Sequence, residues 1–371
     1  MDVLGLTIIL PLLPFYAEHF GASPALVGLL VSTYAFCQLI AGPILGRLSD
    51  RMGRRPLLLV SQIGTFLGFL LLAASTQLWM VFLSRIIDGA TAGNLSLAQA
   101  YIADVTKPEE RAKSFALIGI AFGMGFLIGP GISGYLSQFG YVYPILVAAG
   151  LSFTSILCTY FLLPGTLPHQ AEGGDTKRFA ILDWGNYVRY FHMPEVSLLL
   201  WQFLAFAFTF SAFVAGFALF AERRFTWQGH PFGPKEVGYV FAYVGFLGII
   251  LQGGLIGRLV KKFGEAKLIR AGFLTAAMGL AALAFTYTLP VLLVSAALAA
   301  SGTGVLRPAI TSLLTQKTPR TEQGTVLGLT QSINSLSQIA APFFAGLLID
   351  RHWLAAWALM AAITALVGLF L

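Results

Sequence analysis

Long apolar runs, broken by short polar clusters, set the pattern of this chain. About twenty consecutive apolar residues cross a bilayer as a helix. Twelve segments of that kind can be marked, at about 2–20, 24–46, 56–75, 78–103, 112–136, 141–163, 196–221, 236–257, 267–287, 290–315, 324–349 and 353–371. Between the sixth and seventh lies a polar stretch, 164–195, carrying P-G-T-L-P and E-G-G-D. The pattern predicts an all-α membrane protein of twelve transmembrane helices in two six-helix halves, 1–163 and 196–371, joined by a cytoplasmic linker over 164–195.

Charge orients these segments. With the loop after the second segment placed in the cytoplasm, seventeen Lys and Arg fall on that side, among them Arg47, Arg51, Arg54, Arg55, Lys107, Arg111, Lys113, Lys177, Arg178, Lys261, Lys262 and Arg320. Four fall outside: Arg223, Arg224, Lys235 and Arg351. Basic residues collect on the cytoplasmic side of short loops, so both termini are expected in the cytoplasm. The halves also repeat. Gly46-Arg47-Leu48 and Gly53 recur as Gly257-Arg258-Leu259 and Gly264, and Pro108 maps onto Pro319 at the same offset. The second copy is decayed, since Lys261 stands where Asp50 does. Repeats of this kind place a substrate site near the bilayer midplane between the halves.

Composition agrees. The 371 residues are 57% hydrophobic and only 11% charged, against roughly 25% charged in soluble domains. The net charge of +7 sits in inter-helix loops, which suits anionic lipid heads rather than nucleic acid. Cys37 and Cys158 both lie in apolar runs, so neither a disulfide framework nor a metal site is expected. No basic n-region precedes the first apolar segment, and no cleavable signal peptide is expected. H-E-x-x-H, G-x-S-x-G and phosphate-loop patterns are lacking, which argues against an enzyme.

Chemistry concentrates at a few places. Gly46–Pro56 reads G-R-L-S-D-R-M-G-R-R-P, with four arginines that cannot lie in lipid. R-I-I-D-G spans Arg85–Gly89 in the fourth segment. Arg85 and Asp88 are three apart, share a helix face and can pair. A charge at this depth costs about 2.5–3.5 kcal/mol on insertion scales, so a cavity or a partner is needed. G-F-L-I-G-P-G-I-S-G spans Gly125–Gly134 in the fifth segment. Its glycines permit close helix approach and Pro130 a bend. Gln331, Asn334 and Gln338 make a polar stripe on the eleventh segment. Tyr34, Gln38, Asn94 and Gln99 are further polar candidates for a cavity wall. Arg307, in G-V-L-R-P-A, either snorkels to the interface or faces a cavity and draws anionic groups.

The loop pattern G-x-L-x-D-R-x-G-R-R resembles the major facilitator superfamily. The first segment, D-x-L-G-x-x-x-x-x-P-x-L-P, and the G-x-x-x-G-P-x-x-x-G run resemble its 12-helix drug:proton antiporters, which include tetracycline-resistance pumps. Ser133 replaces a glycine of the antiporter motif. The resemblance implies a conformational latch of Gly46, Asp50, Arg51, Gly53, Arg54 and Arg55 with Asp104. It implies an antiporter motif of Gly125, Gly129, Pro130 and Gly134, and proton coupling at Asp88 and Arg85, with Asp2 as a cavity carboxylate. The residues alone leave two alternatives open: Asp2 solvated at a helix start, and Arg85–Asp88 a permanent structural pair. Gly68 and Thr275 stand where tetracycline pumps carry acidic residues.

The expected activity is export of small amphipathic, drug-like compounds in exchange for protons by alternating access. Transport of a sugar or other metabolite is the alternative. The proton gradient is the expected energy source, with no cofactor or metal, in a monomer of the plasma membrane. A reporter active only in the cytoplasm should be active when fused to either terminus. Activity of a periplasm-dependent reporter there instead would reverse the orientation.

Overall fold

The computed structural model describes residues 1–106, 111–164, 189–319 and 322–371. Lys107, Pro108, Lys177, Arg178, Arg320 and, apart from Pro164, both turn motifs of the linker lie outside them. The chain is a succession of helices: α1 (Asp2–His19), α2 (Pro24–Met52), α3 (Arg54–Ala73), α4 (Leu78–Ala90), α5 (Asn94–Val105), α6 (Arg111–Leu136) and α7 (Val142–Leu162). Then come α8 (Pro194–Arg224), α9 (Pro234–Ile250), α10 (Ile256–Phe263), α11 (Glu265–Ala284), α12 (Leu289–Lys317), α13 (Gln323–Asp350) and α14 (Leu354–Phe370). Among the described residues, nine helices are long and apolar enough to cross a membrane, counting α9 to α10 as one. The other three expected segments are helical as well: α1, the α4–α5 pair and the 17-residue α14. This is an integral, multi-pass membrane protein.

Three local features depart from the apolar pattern. The expected segment 78–103 is not continuous but breaks at Thr91–Gly93. A break in lipid leaves backbone groups that must find partners, and Ser61 of α3 supplies them. Its hydroxyl donates to the Thr91 carbonyl and accepts from the Gly93 N–H at 2.9 Å. Gly46–Pro56 holds a very tight connection. α2 runs on to Met52 and α3 begins at Arg54, leaving Gly53 alone between them at φ 94°. Its counterpart Gly264, between α10 and α11, has φ 75°. Only glycine takes such a conformation without strain, and it lets one residue reverse the chain. Third, five residues, Leu251–Leu255, form a π-helical segment between α9 and α10.

The contacts cluster into two compact units, Met1–Ala22 with Thr33–Leu182 and Ser23–Ser32 with Asp183–Leu371. In the first, α1 packs on α6 and α7, and α3 on α4 and α7. The glycines of the fifth expected segment explain the α1–α6 contact. Thr7 of α1 donates to the Gly125 carbonyl at 2.8 Å. A methyl group added at Gly129 would collide with the Thr7 side chain and come 3.0 Å from its backbone carbon. In the second unit, α11 packs along α12, and α8 packs against α13 and α14. Close approach is again set by small residues, Gly272 against Leu306 and Gly279 against Ala299. The fully buried Trp357 donates to the Ala212 carbonyl at 3.1 Å. Ser23–Ser32 lie along α13, where Ser32 donates to the Ile339 carbonyl at 2.6 Å. A two-stranded ribbon, Thr226–Trp227 with His230–Pro231, comes after α8 and turns through Gln228 and Gly229, both at positive φ.

Gly129→Ala should therefore destabilise the protein by about 1–3 kcal/mol, the range for overpacking a tight contact. Thermal unfolding in detergent measures it, and an unchanged midpoint would show that α1 and α6 can separate freely.

Candidate functional site

The basic cluster is organised by one guanidinium. Arg54, in the first turn of α3, donates from Nη1 to Asp50 at 2.6 Å and to Ser49 Oγ at 2.6 Å. Its Nε donates to Asp104 Oδ2 at 2.9 Å, and so ties α3 to the end of α5. Ser49 in turn donates to the Gly46 carbonyl at 2.6 Å. The Arg54 and Asp104 side chains are 15% and 24% exposed, whereas Asp50 is 53% exposed. Screening by water weakens exposed pairs most, so the Asp104 contact is the stronger anchor. Arg55 donates to the Tyr160 carbonyl and lies over that ring, 5.6 Å from its centroid. Arg51 is exposed and joins none of these contacts.

The second unit holds a counterpart with its charges reversed. Glu265 comes after Gly264 as Arg54 comes after Gly53, and it accepts from Gln316 Nε2 at 2.9 Å and Ser312 Oγ at 3.1 Å on α12. Nearby, Lys317 pairs with Glu195 at 3.0 Å. Tyr190 donates to Glu322 at 3.1 Å. Burial first, and then the Glu322 carboxylate, push the Tyr190 phenol up from its ordinary pKa, so it remains a donor.

A buried polar cluster lies between α1, α3, α4 and α7 of the first unit. Arg85 Nη1 and Asp88 Oδ2 are 3.1 Å apart, with side chains 3% and 4% exposed. Arg85 also lies over the Phe69 ring, 5.7 Å from its centroid. Gly68 faces Asp88: a methyl group there would come 3.1 Å from Asp88 Cβ and 3.2 Å from the Ser84 carbonyl oxygen. A side chain at 68 would crowd Asp88 and the α4 backbone. Asp2 is half-buried and accepts from Gln62 Nε2 at 3.2 Å, which also donates to Ser155 at 3.0 Å. Asn94 opens α5 and donates weakly to Thr65 at 3.4 Å. Tyr34 is within electrostatic range of both Arg85 and Asp88, and accepts from Gln38 at 3.4 Å. Asp2 Oδ1, Gln62 Oε1, Arg85 Nη2 and Asn94 Oδ1 are all buried without a protein partner. Buried polar atoms need partners, so this concentration marks the cluster as the candidate site of the first unit.

The remaining sequence candidates are placed elsewhere. Gly125, Gly129, Pro130 and Gly134 are buried in α6, and the first two meet α1. On α13 of the second unit, Gln331 is exposed and Asn334 half-buried. Sequence reasoning missed Gln62 and Ser155. The signal was present, since Gln62 is the one amide in the apolar run of α3. Among the described residues, no group of three His, Cys, Asp or Glu is placed to hold a metal ion.

A multi-span helical bundle with a one-glycine basic turn and a membrane-buried ion pair is the architecture of a membrane transporter. The chain belongs to the Major Facilitator Superfamily, whose family model matches residues 1–285 and 232–371. It is 32% identical over 372 residues to the class B tetracycline resistance protein of Escherichia coli, covering 96% of this chain and 88% of that one. It is 30% identical over 359 residues to multidrug resistance protein 2 of Bacillus subtilis (strain 168), covering 94% and 86%. The crystal structure of the human organic anion transporter MFSD10 shares its fold, with TM-score 0.73, 24% identity and coverage of 100% and 95%. That of nucleoside transporter NupG does so with TM-score 0.79, 14% identity and coverage of 100% and 96%.

A double-mutant cycle on Arg54→Ala and Asp104→Ala should return a coupling of about 1 kcal/mol in detergent unfolding. Additive single effects would show that α3 and α5 are held together by packing alone.

Proposed function

We propose that this transporter exports small amphipathic, drug-like compounds from the cytoplasm in exchange for protons, by alternating access across the plasma membrane. The observation that carries this reading is the buried Arg85–Asp88 pair set among four unpartnered polar atoms. Asp88 is the exchanging carboxylate. In the deprotonated state Arg85 holds it as an ion pair, and on protonation the pair loosens and the guanidinium is left to other acceptors. Burial disfavours the charged carboxylate while the guanidinium favours it, and opposed influences of that kind suit a group that gains and loses a proton in each cycle. Asp2, linked through Gln62, is the second carboxylate of the path. Its electrostatic influence reaches Asp88.

The resemblance of the chain to tetracycline and multidrug resistance proteins supports drug-like compounds as the cargo. Tyr34, Gln38 and Asn94 are the proposed ligand contacts of the first unit, and Gln331 and Asn334 those of the second. Asp50, Arg54 and Asp104 act as a latch that holds one conformation, and protonation and ligand binding shift the population between states. The protein works as a monomer with both termini cytoplasmic, and the proton gradient is its only energy source.

Everted membrane vesicles carrying Asp88→Asn should show proton-driven export of the neutral amphipathic dye N-phenyl-1-naphthylamine reduced by about 100-fold, typical of losing a proton-transfer group. The asparagine keeps the side-chain shape, and the thermal midpoint checks folding. Undiminished proton-coupled export by a folded variant would remove Asp88 from the coupling.

A further inference from the structure

The second unit contains a cation that the proposed proton path does not use. Arg307 lies ten residues before the end of α12, about 15 Å of helix axis inside it. It is exposed and, among the described residues, it makes no ion pair or side-chain hydrogen bond. The described acidic residues of the unit, Glu195, Glu222, Glu236, Glu265, Glu322 and Asp350, all sit at or near helix ends. None of these carboxylates compensates Arg307 within a span.

Its surroundings identify the face it occupies. Gly304, three residues earlier, is turned toward the π segment, and a methyl group there would stand 3.1 Å from Leu251 Cδ2 and 3.9 Å from Gln252 Nε2. Thr303, one turn from Arg307, lines an apolar pocket with Thr209, Phe210, Phe213, Leu280 and Ala300. Arg307 therefore projects from α12 between the direction of α8 and that of the π segment, while the opposite face is buried against α11. That face of α12 is the one turned toward α8 and the π segment. Gln252 makes no hydrogen bond within the described residues, and π segments recur at functional sites. A cation and a free amide thus stand on neighbouring elements of one unit.

The geometry points to an anion-binding subsite for the transported compound at Arg307 and Gln252. The cargo then includes amphipathic organic anions, such as aromatic sulfonates and carboxylates. A guanidinium takes such groups bidentately and an amide adds a further donor. Apolar walls with a few directed polar groups suit a small amphiphile. Lacking carboxylates inside its spans, the unit offers a cationic compound no counter-charge. This inference rests on the exporter reading above.

Three naphthalene probes of one shape test it on the purified full chain: the 2-sulfonate, the neutral 2-sulfonamide and a trimethylammonium derivative. Calorimetry should find the sulfonate bound at least about tenfold more tightly than the sulfonamide by wild type, the scale of a desolvated charge pair. Arg307→Gln should abolish that preference, Arg307→Lys should keep part of it, and Gln252→Ala should weaken only the sulfonate. Equal binding of sulfonate and sulfonamide by wild type, or proportionate weakening of all three probes in Arg307→Gln, overturns the subsite. Should Arg307→Gln fail to fold, the lysine and Gln252→Ala variants carry the comparison. Export of the neutral amphipathic dye N-phenyl-1-naphthylamine in everted vesicles separates the two readings. Intact export with no sulfonate preference sinks the subsite alone. A sulfonate preference with no proton-driven export of either compound supports the subsite and sinks the exporter reading.

Discussion

Hydrocarbon cannot solvate an ion or a free backbone group, and most of the informative geometry in this protein stems from that constraint. Each charged or polar group placed inside a span has either been given a partner or marks a point where one must arrive. Arg85 and Asp88 satisfy one another in part and are shielded by Phe69. Asp2 borrows Gln62, and the broken backbone at Thr91–Gly93 borrows Ser61. Among the described residues, Arg307 has no such partner within its own unit. The two units therefore differ in kind: one concentrates carboxylates and amides around an internal ion pair, and the other presents a bare cation on α12.

The same two units share a backbone device whose chemistry has diverged. A lone glycine in the left-handed region joins α2 to α3 and again α10 to α11. The residue after that glycine has changed sign, Arg54 in one unit and Glu265 in the other. Each still reaches the following span, Arg54 through an ion pair with Asp104 and Glu265 through neutral donors on Gln316 and Ser312. An ion pair and a set of neutral hydrogen bonds respond differently to salt and to the approach of another charge. The repeat thus preserves the turn while giving each unit its own electrostatic response.

The fold was legible because length and apolarity alone distinguish a membrane span, and positions such as Gly53 and Gly129 announce close approach directly. The basic turn was legible too, as a fixed spacing of arginines and glycines. The features that escaped had no periodic signature. The interruption of the fourth segment depends on Ser61, about thirty residues away in sequence, and no local cue at Thr91 reveals it. The π segment lies within an unbroken apolar run containing Gly253 and Gly254, where composition reads simply as helix. Gln62 was visible as an isolated amide, but its partners Asp2 and Ser155 come from two other helices. The orientation of Arg307 was undecidable for the same reason, because which face of α12 meets the π segment is a tertiary fact.

The division of the fourth segment bears on how the protein enters the membrane. Neither α4, with 13 residues, nor α5, with 12, spans hydrocarbon alone, and α4 carries two formal charges. A translocon that partitions one helix at a time would gain little by releasing this segment into lipid. Its partners, Ser61, Thr65 and Phe69, all reside on α3, which is synthesised first. The third helix is thus available to pair with the fourth segment as the latter enters lipid. Substitutions on α3 that spare every transport residue can then reduce the amount of protein that reaches the membrane at all.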